Sequence, residues 1–426
     1  MTPPTKLWPG LSLEPLASAG GELPVIVGYR PSTDRVGHVC ALEGVNVRRH
    51  YRMLPLVAMR VSAVGLRRLE EDPAVDRIWP DLPVRALLDQ AVPHLHVPSL
   101  WFDGHTGRGV RIAIVDTGID PNHPGLAGRV AGAADFTGEG PRDNHGHGTH
   151  VAGIAAGSGG DPQDPVGKYR GVAPEAILYS AKVLGAHGGG MTSTVIAGLE
   201  WAVEQRVQVI NLSLGYATSS DGTDALSFAC DQIAARGIVI CVAAGNEGPY
   251  SYTIGSPAAA RQVITVGACT LPQAGAPGTV ADFSSRGPTA DGRAKPDLVL
   301  PGVNIVSCRA AGTRMGAAVD ALYTRASGTS MATPLATGLV ALLIEGLPEL
   351  RAPEIKERLK RTAVDLGLSA YAQGAGRADA LRAYEGQEGP LPPEPPPAPP
   401  PPGCLATPAA LWRALARPHD SAAPSH

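Results

Sequence analysis

The sequence predicts an α/β fold, a parallel sheet with helices on both faces, preceded by a small α+β domain. Three observations lead there. From residue 110 onward, continuous apolar, β-branched runs alternate with helical segments. Those runs lack the in–out alternation of a half-exposed sheet, so both faces of their strands must be covered. Residues 22–88 carry a different pattern ahead of that series, and 426 residues are enough for both units.

In chain order, residues 1–21 form an N-terminal extension. In 22–88, "LPVIVGYR" and "PLVAMRVSA" read as strands, "AVGLRRLEEDPAV" as a helix running into a proline stop, and "VDRIWPDLPVRALL" as further extended chain. The main domain, 89–385, takes its strands from "GVRIAIVDTG", "AILYSAKVLG", "VQVINLSLG", "GIVICVAAGN" and "QVITVGA". Its helices include "TSTVIAGLEWAVEQ", "DALSFACDQIAARG" and amphipathic "RAPEIKERLKRTAVDL", with Pro353 near its start. Residues 386–426 are a Pro-rich linker and tail; 390–402 hold ten prolines in thirteen positions, which forces an extended chain.

Composition excludes several classes. A net charge of −3 leaves no basic footprint for nucleic acid. No apolar run is read as a membrane span, so no membrane partner is expected. "MTPPTKLWPGLSLEPLASAGGELP" places prolines where a signal peptide needs a continuous apolar stretch, which leans toward the cytoplasm. The six cysteines (40, 230, 241, 269, 308 and 404) include no C-x-x-C pair, and Cys241 reads as a core thiol.

"DNHGHGTHVAGIAAG", 143–157, sets His145, His147 and His150 beside an apolar run. The spacing permits a shared metal, a single catalytic base, or a solvated loop entering a buried helix. Other strand and helix ends narrow the choice. Asp116 stands at the carboxyl end of a buried strand, where a carboxylate is costly unless hydrogen-bonded, and orienting an imidazole satisfies it. Ser330 opens a long apolar helix, whose first N–H groups suit a serine whose transition state gains an oxyanion. Asn246 ends another strand with an amide able to donate to that oxyanion. Singly, each has a bland alternative as a cap or turn residue. Together they fit acyl transfer by a nucleophilic serine.

These residues carry a resemblance. "DTGID", "HGTHVAG" and "GTSMATP" resemble the Asp, His and Ser blocks of subtilisin-like serine proteases, the subtilase family. "SLG" at 213–215, "AAGN" at 243–246 and the stretch 282–307 are similar to the family's substrate and pre-serine segments, and the likeness spans about 89–385. With no signal peptide, the chain looks most like the signal-less alkaline serine proteases of Gram-positive bacteria. The resemblance implies a subtilisin-like fold and a serine endopeptidase with His147 as general base, Asp116 orienting it, Ser330 as nucleophile and Asn246 in the oxyanion site. It makes His150 structural and leaves His145 without a role.

It also implies an extended protein or peptide substrate between Gly188, Gly189, Gly190 and Met191 on one side and Ser213, Leu214 and Gly215 on the other. A first pocket walled by Ala243, Ala244, Gly245 and Gly255 would favour large apolar side chains just before the cut bond. Tyr216 replaces a small residue at its rim. Residues 22–88 resemble an inhibitory propeptide, an intramolecular partner cut off near Leu88–Ala91. No cofactor is required for the chemistry. Structural calcium is implied at Gln90, Asp161 and Asp164, but Gly125 stands where relatives carry another Asp ligand. Three readings compete: a silent binding module, a zinc hydrolase on the 145–150 histidines, and a general esterase. The esterase reading lacks a G-x-S-x-G elbow around Ser330.

Overall fold

The computed structural model describes Lys6 and residues 22–30, 42–50, 56–80, 88–160, 167–272 and 278–389. Asp161, Asp164, most of the N-terminal extension and the Pro-rich segment lie outside the described residues. The chain divides into two compact units, 1–85 and 86–426.

The first unit is a four-stranded antiparallel sheet with one helix. Its elements are β1 (Leu23–Tyr29), β2 (Val45–His50), β3 (Leu56–Val61), α1 (Ala63–Glu71) and β4 (Val75–Pro80), in the sheet order β2-β3-β1-β4. Alternate residues Val25 and Val27, and Val57, Met59 and Val61, are buried against Leu66 and Leu69 of α1. Ser62 caps α1 by accepting from the Gly65 N–H at 3.2 Å. A Cβ on Gly65 would lie 2.2 Å from the Gly44 carbonyl oxygen, so the helix seats on that turn only because the position is glycine.

The second unit opens with α2 (Leu88–His94) and α3 (Val97–Phe102) and then builds a seven-stranded parallel sheet. Its strands are β5 (Arg111–Asp116), β6 (Val130–Asp135), β7 (Ile177–Lys182), β8 (Val209–Leu212), β9 (Val239–Ala243), β10 (Ile264–Cys269) and β11 (Leu298–Pro301). The order is β11-β10-β9-β8-β5-β7-β6, every pair parallel. The order reverses between β5 and β8, and in such sheets ligands bind outside the carboxyl ends at that point.

Successive side chains of β5 enter different cores. Ile112 and Ile114 face the layer of α4 (His147–Ala156) and α7 (Thr329–Gly346). Ala113 and Val115 face α5 (Thr192–Glu204) and α6 (Ala225–Ala234). Covering both faces is what makes the strand runs continuously apolar. α7 is long and apolar enough to pass for a membrane span, contrary to the expectation that no run qualifies. It is spent inside the fold, with 78% of it buried.

A feature not expected from sequence is a small antiparallel sheet, β12 (Ile305–Cys308), β14 (Tyr323–Ala326) and β13 (Ala317–Ala318), in the order β12-β14-β13. Cys230, Cys241, Cys269 and Cys308 are free and buried, as the core-thiol reading of Cys241 expects. The chain closes with α8 (Ala352–Arg361), α9 (Ala370–Gln373) and α10 (Ala380–Glu385).

Candidate active site

Asp116 is the last residue of β5 and is fully buried. Its Oδ1 accepts from the Thr117 N–H at 2.7 Å and from His147 Nδ1 at 2.7 Å. His147 is the first residue of α4, and its side chain remains 18% exposed. Glycine makes the approach of helix to strand possible. A Cβ on Gly148 would stand 2.1 Å from the Gly118 carbonyl oxygen, inside any contact a side chain tolerates. Burial opposes charge on the His147 ring, but the Asp116 carboxylate, by its charge and its hydrogen bond, and Asp143 outweigh it. Its pKa is held above the ordinary histidine value.

The three neighbouring histidines diverge. His150, one turn along α4, is fully buried with Nε2 3.1 Å from the Thr324 carbonyl. Burial pushes its pKa down to about 3, so it stays neutral. The His145 ring lies 6.3 Å from that of His147 and packs against Gly188. With Nδ1 of His147 on Asp116 and Nε2 of His150 on a carbonyl, no shared zinc geometry forms among the described residues.

Ser330 is the second residue of α7 rather than its cap, which is Gly328. Its Oγ donates to the Ser213 carbonyl at 3.1 Å, and Ser213 Oγ donates back to the Ser330 carbonyl at 2.9 Å. Behind them, Asn211 Nδ2 donates to Ser213 Oγ and Thr337 Oγ1 donates to Asn211 Oδ1, locking the end of β8 to α7. Asn246 Oδ1 accepts from the Thr329 N–H at 2.9 Å and from Thr329 Oγ1 at 3.1 Å. That spends the amide oxygen on the helix start and leaves Nδ2 as the donor.

Two clefts meet here. One, of about 250 Å³, is lined by Ala243–Glu247, Gly255, Ser256, Thr329 and Ser330, with Ser213–Ala217 along its side. The other, of about 450 Å³, is lined by His145, His147, His187–Thr192 and Ser213–Tyr216. They share Ser213, Leu214, Gly215 and Tyr216. Every substrate-side residue expected from sequence lines one cleft or the other. A Cβ on Gly255 would lie 1.9 Å from the Tyr216 carbonyl oxygen, so two backbones touch there and close the smaller cleft.

Comparison with known proteins now decides the family. The subtilase family model matches residues 107–377. The chain belongs to the subtilase family. It is 41% identical over 313 residues to serine protease AprX of Bacillus subtilis (strain 168), covering 68% of this chain and 70% of the relative. It is 33% identical over 381 residues to subtilisin J of Geobacillus stearothermophilus, covering 86% and 92%. To the alkaline protease of Alkalihalobacillus alcalophilus it is 35% identical over 358 residues, covering 82% and 85%. This subtilase is a serine endopeptidase with protein substrates.

Parts of the subtilase site escaped the sequence reading. Asp143, buried in the turn before α4, and Thr117, next to Asp116, were given no part, although an acidic residue just ahead of a helix is a capping signal. Lys182, fully buried at the end of β7, donates to the Thr117 carbonyl at 3.2 Å and pairs with Glu139 at 3.4 Å. Glu139 in turn accepts from the Ala186 N–H, tying down the loop that carries Gly188–Gly190. Of the residues expected at a calcium ion, Gln90 is half-buried in α2, and Asp161 and Asp164 lie outside the described residues. Gly125 supplies no carboxylate; its N–H donates to His123 Nδ1.

Proposed function

We propose that Ser330 is the nucleophile of this endopeptidase, His147 its general base and acid, Asp116 the group that orients His147, and Asn246 a donor to the oxyanion. The observation that carries the reading is the 2.7 Å His147–Asp116 pairing beside two clefts joined along Ser213–Tyr216, one lined by His147 and the other by Ser330 and Asn246.

Asp116 on Nδ1 fixes the tautomer, leaving Nε2 as the acceptor. Ser330 Oγ rotates from the Ser213 carbonyl, gives its proton to Nε2 and attacks the substrate carbonyl carbon. The tetrahedral oxyanion takes a hydrogen bond from Asn246 Nδ2 and sits at the positive end of α7. His147 then protonates the departing amine, and water attacks the acyl-serine by the same route in reverse. No step needs a metal. Calcium, if held by Gln90 with Asp161 and Asp164, would brace the fold.

The smaller cleft would take a large apolar side chain from just before the cut bond. Its walls are backbone and alanine, which favours apolar contact with broad tolerance. Residues 22–88 act as an intramolecular inhibitor, released by self-cleavage near Leu88–Ala91. That segment forms the first turn of α2, so the bond is cut while the turn is extended. Intact-mass measurement of wild type beside Ser330→Ala tests the self-cleavage and its nucleophile: the variant keeps its full mass and wild type loses the N-terminal segment.

A further inference from the structure

We infer that Asp143 is a positioning residue for peptide hydrolysis: it ties the strand end that carries Asp116 to the helix start that carries His147, and sets a second negative charge behind the imidazole. The inference rests on His147 being the base.

Asp143 is only 1% exposed, yet it accepts five hydrogen bonds from two directions. Oδ1 takes Thr117 Oγ1 at 2.9 Å, the His145 N–H at 3.0 Å and the Gly146 N–H at 2.6 Å. Oδ2 takes the Thr149 N–H at 2.9 Å and Thr149 Oγ1 at 2.6 Å. Four of these donors belong to the first turn of α4 and its approach. One of them, the Thr149 N–H, is a helix-start group that Gly146, the N-cap, has no side chain to cap. The fifth donor is Thr117, whose own N–H donates to Asp116 Oδ1 and whose Oγ1 accepts from the Gly148 N–H at 2.9 Å. A continuous chain of hydrogen bonds therefore runs from the α4 start through Asp143 and Thr117 to the carboxylate that holds His147.

The carboxylate also acts through space. Asp143 is one of two acidic groups that favour charge on the His147 ring. Other titratable groups near that ring are Asp116 at the end of β5, His145 in the same turn, His150 along α4 and His187, which lines the same cleft. Lys182, reaching the Thr117 carbonyl from β7, is balanced by Glu139. Asp120 lies beyond Thr149, with its N–H on Thr149 Oγ1. The part of α7 packed on α4 carries no charged residue from Thr329 to Ile344.

Two variants separate positioning from mere helix capping. Asp143→Asn keeps the shape, removes the charge and turns one acceptor oxygen into an amide nitrogen that cannot accept. It should lose roughly 10²-fold in kcat, the scale of a misplaced catalytic group, with KM unchanged. The acid limb of its pH profile should move to lower pH. Thr117→Val cuts the link and leaves the charge, so kcat should fall while the limb keeps its midpoint. Wild-type kcat in Thr117→Val, or a wild-type midpoint in folded Asp143→Asn, overturns the inference. If Asp143→Asn does not fold, Thr117→Val alone decides it by the same kcat criterion. A wild-type enzyme with no acid limb would instead remove His147 as the base.

Discussion

His147 Nδ1 and Asp116 Oδ1 meet at 2.7 Å across the junction of a helix start and a strand end. Gly148 and Gly118 let the two elements come that close. The pairing sets a sign for the pH dependence. With His147 as the proposed base, a neutral imidazole would accept the serine proton, so activity should rise as pH climbs through the pKa of His147, which is raised here. The acid limb of kcat/KM should therefore lie above the ordinary histidine value of about 6.5. Asp116→Asn should lower that limb and cost roughly 10³-fold or more in kcat. A limb at or below the ordinary value in wild type would count against the pairing in solution.

Thr329 occupies the Asn246 amide oxygen, which leaves Nδ2 as the free donor of a residue that lines the cleft. Asn246→Ala should cut kcat by about 10²–10³-fold with KM nearly unchanged, since the amide matters most once charge develops on the substrate oxygen. Steady-state kinetics on one peptide are sufficient. A loss carried mainly by KM would make Asn246 a ground-state contact.

His150 is buried and neutral, with its pKa at about 3. The unfolded chain binds a proton there that the folded chain refuses, so this contribution is complete above about pH 6.5 and is lost as pH falls toward about 3. It amounts to at most about 5 kcal/mol. His147, with its raised pKa, works in the opposite direction over an adjoining range. Thermal unfolding in a Ser330→Ala background, which removes self-digestion, should show stability falling with acidification. His150→Gln should show a shallower fall, and equal slopes would refute the assignment.

The proposed self-cleavage of 22–88 would have a kinetic signature. An intramolecular cut proceeds at a rate independent of protein concentration. Ser330→Ala should accumulate uncut, and separately supplied 22–88 should inhibit the processed enzyme. An active wild-type enzyme that retains 22–88 covalently would make the unit a permanent accessory domain.

The parts of this fold and site that were legible in the sequence share one cause. Asp116 and Ser330 interrupt apolar runs, and a polar group at the end of a buried strand or the start of a buried helix needs a reason. The continuous strands β5, β8, β9 and β10 announced themselves by β-branched residues covered on both faces. β6 did not, because "VAGAAD" is built of small residues with little strand preference. The β12-β14-β13 sheet was hidden for another reason: its strands are only two and four residues long, too short to show a pattern. Asp143 escaped because its role lies in the bond to Thr117, 26 residues away. No local pattern encodes a hydrogen bond of that span.

The nucleophile is the centre of the account, and a covalent label reads it directly. Wild-type enzyme and Ser330→Ala are treated with a serine-directed phosphonylating reagent, and each is followed by intact mass, peptide mapping and residual peptidase activity. The account predicts one adduct per wild-type chain, on Ser330, with activity lost in proportion. Ser330→Ala should take no label there and show turnover lower by at least about 10³-fold. Near-normal turnover by folded Ser330→Ala, or inactivation of wild type by an adduct on another residue, would contradict it.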